Sequence, residues 1–307
     1  MFDQTLLTSM LSVGEQICWL TKQPNRSNPS KQTLYAITNQ RALIISSSDY
    51  QLTSFDFASI THYQTLRNSD GSGSIIFKVE DLRDSEGDLI KIISTGFHNL
   101  SEVDRIEKLL LECILLSQNP DFSSSAQPEN TLWFCNKKPR IFTIISSLKL
   151  ALGIIFVAFL SSFMIASLDL LLSSSSDQPL FILFASIFLL AGLGMLTISI
   201  VYLILAPYHL WRKDQKTAYS LTNKRLLIST SGKTSLTISI MLSPLNLLNL
   251  LDIKKQRILF VNNFTYDCNE EYYHYGLGFE RLNDDSQLHE LLNLLNNHPL
   301  INHATYQ

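Results

Sequence analysis

The 307-residue sequence lacks an excess of basic charge: 24 lysines and arginines stand against 27 aspartates and glutamates, for a formal net charge of −3 and a pI near 6.2. A chain without surplus cations has little with which to displace counterions from a phosphate backbone, so nucleic acid is excluded as a main partner. Charge of either sign is scarce, 17% of residues against 46% hydrophobic, a balance too apolar for a disordered chain. Cysteine is sparse as well. Cys18, Cys113, Cys135 and Cys268 form no C-x-x-C pair, which argues against a disulfide framework or a zinc knuckle and makes a reducing compartment the simpler expectation. No Gly-rich phosphate loop, nucleophile elbow or H-E-x-x-H sequence is present, so the expectation is a non-enzyme without cofactor or metal. The first twenty residues carry Asp3 and Glu15 but no Lys or Arg and no sustained apolar core, and they do not read as a signal peptide.

What the sequence does have is a long uncharged middle. From Leu150 to Leu210 there is no Lys or Arg, and the only acids are Asp169 and Asp177. Two apolar stretches, 150–168 and 180–206, approach or exceed the roughly 20 helical residues that cross a bilayer core, and a short turn with Asp177 and Pro179 joins them. They read as a transmembrane hairpin over 150–206. Lys137, Lys138, Arg140 and Lys149 precede it, and Arg212, Lys213 and Lys216 follow it. By the positive-inside rule this places both termini in the cytoplasm, with the protein integral to an inner or plasma membrane.

Two segments flanking the middle repeat one another. YAITNQRALIIS from Tyr35 matches YSLTNKRLLIST from Tyr219 at an offset of 184 residues, and GFHNLSEVDRIEKLL from Gly96 aligns with GFERLNDDSQLHELL from Gly278 at an offset of 182. Upstream, WLTKQP at Trp19 resembles WFCNKKP at Trp133, but at an offset of 114, shorter by 70 residues. An insertion between Trp133 and Tyr219 accounts for the difference. The expected organisation is therefore a first domain at 1–118, a linker at 119–130, the opening segment of a second domain at 131–149, the hairpin at 150–206, and the remainder of the second domain at 207–307. Within each copy, short strands precede one amphipathic helix. TLYAI, ALIIS, SIIFKVE and LIKIIS read as an antiparallel meander, and Val103, Ile106, Leu110, Cys113 and Ile114 at helical spacing read as the closing helix, with Ser101 and Asp104 as its capping pair. In the second copy Asn283 reads as the N-cap of the last helix, and the SPLNLLNLL stretch at 243–251 looks helical.

A Trp followed by a Lys/Pro turn, a Tyr-x-x-Thr-Asn-x-Arg segment opening a strand hairpin, and a Gly-Phe before the last helix together resemble the bacterial membrane-associated pleckstrin-homology-like domains. The resemblance covers both repeats. It implies an α+β fold with membrane helices, in which each domain is a bent antiparallel sheet or near-barrel closed by a C-terminal helix and the second is interrupted by the transmembrane hairpin.

Several residues could carry binding. Tyr35, Thr38, Asn39 and Arg41, with Tyr219, Thr222, Asn223 and Arg225, form the most specific motif. Asn and Thr suit tight turns through side-chain to backbone bonds, and an Arg just after such a turn can bind carbonyls or a carboxylate, so the motif reads as structural. The basic collar of Lys137, Lys138, Arg140, Lys149, Arg212, Lys213 and Lys216 could meet anionic headgroups, and Lys22, Arg26 and Lys31 offer a surface contact on the first repeat. Cys268, Glu270, Glu271 and His274 have metal-capable atoms at a spacing that fits no recognised ligand pattern. The expected function is a non-catalytic membrane protein that presents two cytoplasmic domains to membrane lipids or to a membrane or cytoplasmic protein. The alternatives are a self-assembling structural homo-oligomer and a membrane enzyme using the acids and histidines of the second repeat.

Overall fold

The computed structural model describes residues 4–24, 32–46, 51–83, 89–119, 128–137, 206–242, 257–268, 271–280, 282 and 285–302, with ten isolated helical positions between 161 and 194. After a short helix α1 (Gln4–Ser9), strands β1 (Ile17–Pro24), β2 (Gln32–Thr38), β3 (Arg41–Ser46) and β4 (Leu52–Asp56) form a four-stranded antiparallel sheet in chain order. A 3-10 turn at 57–59 leads to β5 (His62–Asn68), β6 (Gly73–Arg83), β7 (Leu89–Leu100) and helix α2 (Val103–Gln118). The second repeat supplies β8 (Thr131–Asn136), helix α3 (Ala206–Gln215), β9 (Thr217–Thr222), β10 (Arg225–Thr230) and β11 (Thr234–Met241). It closes with a paired β12 (Arg257–Cys268) and β13 (Glu271–Glu280), then α4 (Asp285–Asn296) and α5 (Pro299–Asn302).

The two repeats meet through β5 and β11, which pair antiparallel from Asn68 opposite Thr234 to His62 opposite Ile240. The result is a seven-stranded sheet in the order β7-β6-β5-β11-β10-β9-β8, so strands from either side of the 119–130 linker share one hydrogen-bonded layer. Packing crosses the same seam. Met241 of the second repeat is buried in the first repeat's core, and Leu66 of the first packs on the second's. Residues 1–137 and 216–307 form one compact unit, and 138–215 form another.

The repeated sequence signature has a packing explanation. In the first copy Trp19 and Tyr35 lie 5.7 and 5.1 Å, centroid to centroid, from the fully buried Phe97. In the second, Trp133 and Tyr219 stack on Phe279 at 5.8 and 4.7 Å. Three signature elements far apart in sequence thus meet in one aromatic trio per repeat, where offset or tilted rings add to the area buried. The glycine before Phe97 is also dictated by packing, because a Cβ at Gly96 would fall 2.1 Å from the carbonyl oxygen of Ile75 on β6. Helix α2 buries Val103, Ile106, Leu110, Leu111, Cys113 and Ile114 against this core. Each large aliphatic side chain so buried contributes about 1.5–3 kcal/mol before entropy is counted.

The structure corrects three expectations. The fold is mostly antiparallel β-sheet with a few short helices, in place of an α+β fold with membrane helices. No helix among the described residues is long and apolar enough to cross a membrane, which removes the support for a transmembrane hairpin and for an integral-membrane location with cytoplasmic termini. The physical reason lies in length and charge. The longest described helix, α2, has 16 residues and carries Asp104, Arg105, Glu107, Lys108 and Glu112, while α3 has ten and ends on Arg212 and Lys213. Most of the stretch expected to span, 150–206, lies outside the described residues. The capping of α2 also differs: Glu102 occupies the cap position without a side-chain cap bond, and Asp104 is turned instead to Arg67. Asn283 and residues 243–251 lie outside the described residues.

Candidate functional site

The Thr-Asn-x-Arg sequence makes the same turn twice. Thr38 Oγ1 accepts from the amides of Gln40 and Arg41 at 3.1 and 2.9 Å and donates to the Arg41 carbonyl. Thr222 Oγ1 accepts from Lys224 and Arg225 at the same distances. Each asparagine then ties its turn to the segment before β1 or β8. Asn39 Oδ1 accepts from Gln16 N–H and Asn223 Oδ1 from Asn130 N–H, both at 2.9 Å, while their amide nitrogens donate to the carbonyls of Gly14 and Pro128 at 3.3 Å.

The arginine closing each turn grips a glutamate in a two-toothed pair. Arg41 Nε and Nη2 donate to Glu15 at 2.9 and 3.0 Å, and Arg225 Nε and Nη2 donate to Glu129 at the same distances. Burial alone would raise the Glu15 carboxyl, but the Arg41 bonds, the Ser12 amide and the Thr38 hydroxyl hold it below the usual carboxylate value. Glu129 behaves alike: burial pushes it up, and Arg225 and Thr222 bring it below its ordinary value. These glutamates carry a sequence signal that repeat matching from the tryptophans onward missed. Glu15 and Glu129 each stand four residues before a signature tryptophan, at the same offset of 114.

Beyond this shared geometry the two sites diverge. Arg225 is 8% exposed and directs Nη1 across the seam, 2.6 Å from the Tyr63 hydroxyl on β5 and from Glu107 Oε1 on α2, and 2.8 Å from Ser239 Oγ on the adjacent β11 of its own repeat. Glu107 also takes Arg67 Nη2, whose Nε reaches Asp104 and whose Nη1 donates to Thr237 Oγ1 at 2.9 Å. Burial works against the Arg225 charge, yet Tyr63 and the two glutamates keep its pKa well above the ordinary arginine value. Burial raises the Tyr63 phenol. Alternating cations and acids from both repeats thus form one network, buried at Arg225, Glu107 and Tyr63 and open to solvent at Asp104. Arg41, by contrast, spends Nη2 on the Met10 carbonyl and on Glu15, and its Nη1 has no hydrogen-bond partner among the described residues.

No family model, curated protein or solved structure matches the chain. The chemistry of the sites therefore stands on their own geometry.

The remaining candidates are dispersed. Lys137 and Lys216 flank the start of β9, with the Lys137 amide donating to the Thr217 carbonyl at 2.9 Å. Arg212 and Lys213 lie in the last turn of α3. Lys138, Arg140 and Lys149 lie outside the described residues, as do Arg26 and Lys31, while Lys22 sits on β1 opposite Leu34. Glu270 is likewise outside them, and among the described residues no group of three or more His, Cys, Asp or Glu could hold a metal ion. His298 is buried, with Leu300 N–H donating to Nδ1 and Nε2 facing the Thr222 carbonyl, which fixes the ring neutral with its proton on Nε2. Cys113 is pushed up to about 12, first by burial and then by the neighbouring Cys18 thiol, so it is no thiolate nucleophile near neutrality. An open cleft of about 400 Å³ lies beside Pro24, Thr33, Tyr35, Ile44, Ser94 and His98, where His98 Nε2 stands 3.3 Å from the Ser94 carbonyl oxygen.

Proposed function

We propose that the chain is a non-catalytic binding protein, a two-repeat β-sheet scaffold that presents a fixed surface to a protein partner. The observation that carries the reading is the use to which the charged groups are put. The charged groups gathered at the repeat seam, Arg225, Glu129, Glu107 and Arg67, together with the Tyr63 hydroxyl, are bound to one another. A catalytic acid or base needs access to substrate and a pKa near the working pH. The pairing instead holds Glu129 low and Arg225 high, which serves rigidity. The resemblance of the two repeats to pleckstrin-homology-like modules points the same way.

The test is a search for turnover. Purified full-length chain is incubated with a small-metabolite extract and the mixture is profiled by mass spectrometry before and after. The expected result is no chain-dependent change in any metabolite, alongside recovery of a stoichiometric protein partner by cross-linking in cells. A metabolite consumed by the wild type and spared by Glu107→Gln would overturn the reading.

A further inference from the structure

The two repeats place equivalent strands in unequal company. Ser54 on β4 lies opposite Leu43, as Ser239 on β11 lies opposite Leu227, and Asp56 faces Arg41 as Met241 faces Arg225. β11 has β10 on one side and β5 on the other, whereas β4 pairs with β3 alone among the described residues. The ladder phase shows which groups are left over. The Ser46 amide donates to the Gln51 carbonyl and the Phe57 amide to the Gln40 carbonyl, so residues 51, 53, 55 and 57 bond towards β3 while Leu52, Ser54 and Asp56 direct their backbone groups outward. Ser59 Oγ takes the Asp56 carbonyl, leaving the amides of Leu52, Ser54 and Asp56 and the carbonyls of Leu52 and Ser54. On β11 the corresponding face is the one that receives β5, starting with the Met241 amide on the Thr61 carbonyl.

This edge is also only lightly guarded. Exposed edges are ordinarily blunted by lysine, proline or a bulge. The outer strand at the other side of the sheet, β1, has all three: Lys22, Pro24 and a register shift between Ile17 and Trp19. The β4 sequence Leu-Thr-Ser-Phe-Asp has none of these three; its guards are its five-residue length and the exposed Asp56, which faces Arg41, and its Leu52 is 40% exposed. Beside it stands Arg41, whose Nη1 lacks the partners that Tyr63 and Glu107 give Arg225.

We propose that β4 is a docking edge for an extended segment of a partner protein, which adds antiparallel to β4 and places a tyrosine hydroxyl or a carboxylate opposite Ser54 to bind Arg41 Nη1. The occupant's chemistry is copied from the filled site, where Tyr63 lies opposite Ser239 and β5 supplies the ladder. Backbone bonds provide affinity, and the oxygen reaching Arg41 provides register. The assignment rests on the non-catalytic binding reading and locates its surface.

The probe is a dye-labelled peptide with the β5 sequence THYQTLRNS, Thr61 to Ser69, titrated into the full chain by fluorescence anisotropy. Saturable binding is expected below about 1 mM. The peptide with phenylalanine in place of tyrosine should bind about tenfold more weakly, the loss of one hydrogen bond to a charged group. Two blocks test the edge from opposite sides. Ser54→Pro removes an outward amide that β3 does not use, and a peptide methylated on the tyrosine amide leaves the protein unchanged. Each should reduce binding at least tenfold. Absence of saturable binding, or binding that survives the methylated peptide, overturns the edge assignment without touching the non-catalytic reading, which only the turnover test decides. A wild-type dimer in sedimentation that Ser54→Pro converts to monomer also overturns it, by assigning the edge to a second copy of the chain.

Discussion

Arg41 and Arg225 occupy the same turn, grip the same kind of glutamate with the same two nitrogens, and differ in what lies beyond. Arg225 is 10% exposed at its side chain and reaches three further oxygens, two of them from the other repeat; Arg41 is 22% exposed and reaches one backbone carbonyl. The comparison teaches that the motif's local job is to pin a turn to the segment before the first strand. Its larger role in the second repeat is acquired from the neighbour. A duplicated element need not do duplicated work once one copy is placed against the other.

Removal of each arginine in turn should have the largest effect on stability. Arg225→Ala leaves Glu107 and Glu129 without their shared cation, and stranding a buried charge costs about 3–5 kcal/mol. Arg41→Ala strands one buried carboxylate, Glu15, which keeps the Ser12 amide, so the expected loss lies at the lower end of that range, about 3 kcal/mol. Urea unfolding midpoints of the two variants measure the difference directly. Equal losses would show that the inter-repeat network contributes nothing beyond the pair it shares with the first copy.

A subtler cut isolates the seam. Tyr63→Phe deletes one hydroxyl that stands 2.6 Å from Arg225 Nη1 and leaves both glutamates in place. Loss of a hydrogen bond to a charged group costs about 1.5–3 kcal/mol. In the Arg225→Ala background only the longer donation from the Tyr63 hydroxyl to Glu107, 3.5 Å, remains to be lost, so the same substitution should cost less and a double-mutant cycle isolates the coupling between Tyr63 and Arg225. Additive effects would contradict the network.

Much of this organisation was readable before any coordinates. Tyr35, Thr38, Asn39, Arg41 and their counterparts announced a repeated turn, and Gly96-Phe97 matched Gly278-Phe279, because close packing leaves few residue choices at such points. The glutamates were hidden for the opposite reason: Glu15 and Glu129 sit among unlike neighbours, and a lone acid four residues before a tryptophan carries little pattern. β4 and β5 were missed because LTSFD and HYQTLRN are short and rich in polar residues, and their pairing is decided by partners distant in sequence. The expectation of membrane-spanning helices rested on apolar length, the lack of charge between 150 and 210 and the flanking basic residues, and most of that stretch lies outside the described residues. The joining of the repeats through β5 and β11 depends on two edges meeting, a property neither sequence states by itself.

The seam also has an acid-sensitive flank. His62 begins β5 at the junction, its Nδ1 2.9 Å from Thr61 Oγ1, and burial lowers its pKa from the ordinary 6.5 to about 4. Between those values the unfolded chain takes up a proton that the folded one refuses. This contribution to stability is therefore fully present above about pH 6.5 and declines as pH falls towards 4, by about 1–3 kcal/mol in all. Glu15 and Glu129, whose folded values are lowered, keep their contributions above the ordinary carboxylate value of 4.5 and lose them as pH falls below it, so most of the His62 window lies above theirs. His62→Gln should reduce the slope between pH 6.5 and 4, leaving the part that the buried His298 contributes, and keep the acid limb intact. An unchanged slope in the upper window would remove His62 from the account.

The smallest expected effect is the one that best sharpens the comparison, because it predicts equality. Asn39 and Asn223 accept from Gln16 and Asn130 at 2.9 Å and donate to Gly14 and Pro128 at 3.3 Å, and neither side chain touches the opposite repeat. Both sites are solvent-accessible, so each pair of bonds contributes a net of about 1 kcal/mol. Asn39→Ala and Asn223→Ala should then lower stability by the same amount within error, measured by urea unfolding of the full chain. Equality here, set beside inequality at Arg41 and Arg225, would locate the divergence of the repeats in the seam and leave the turn itself unchanged. A markedly larger loss at Asn223 would mean that the turn's rigidity is transmitted to Arg225 and through it to Tyr63 and Glu107, and the two arginines would no longer report on separate layers of the structure.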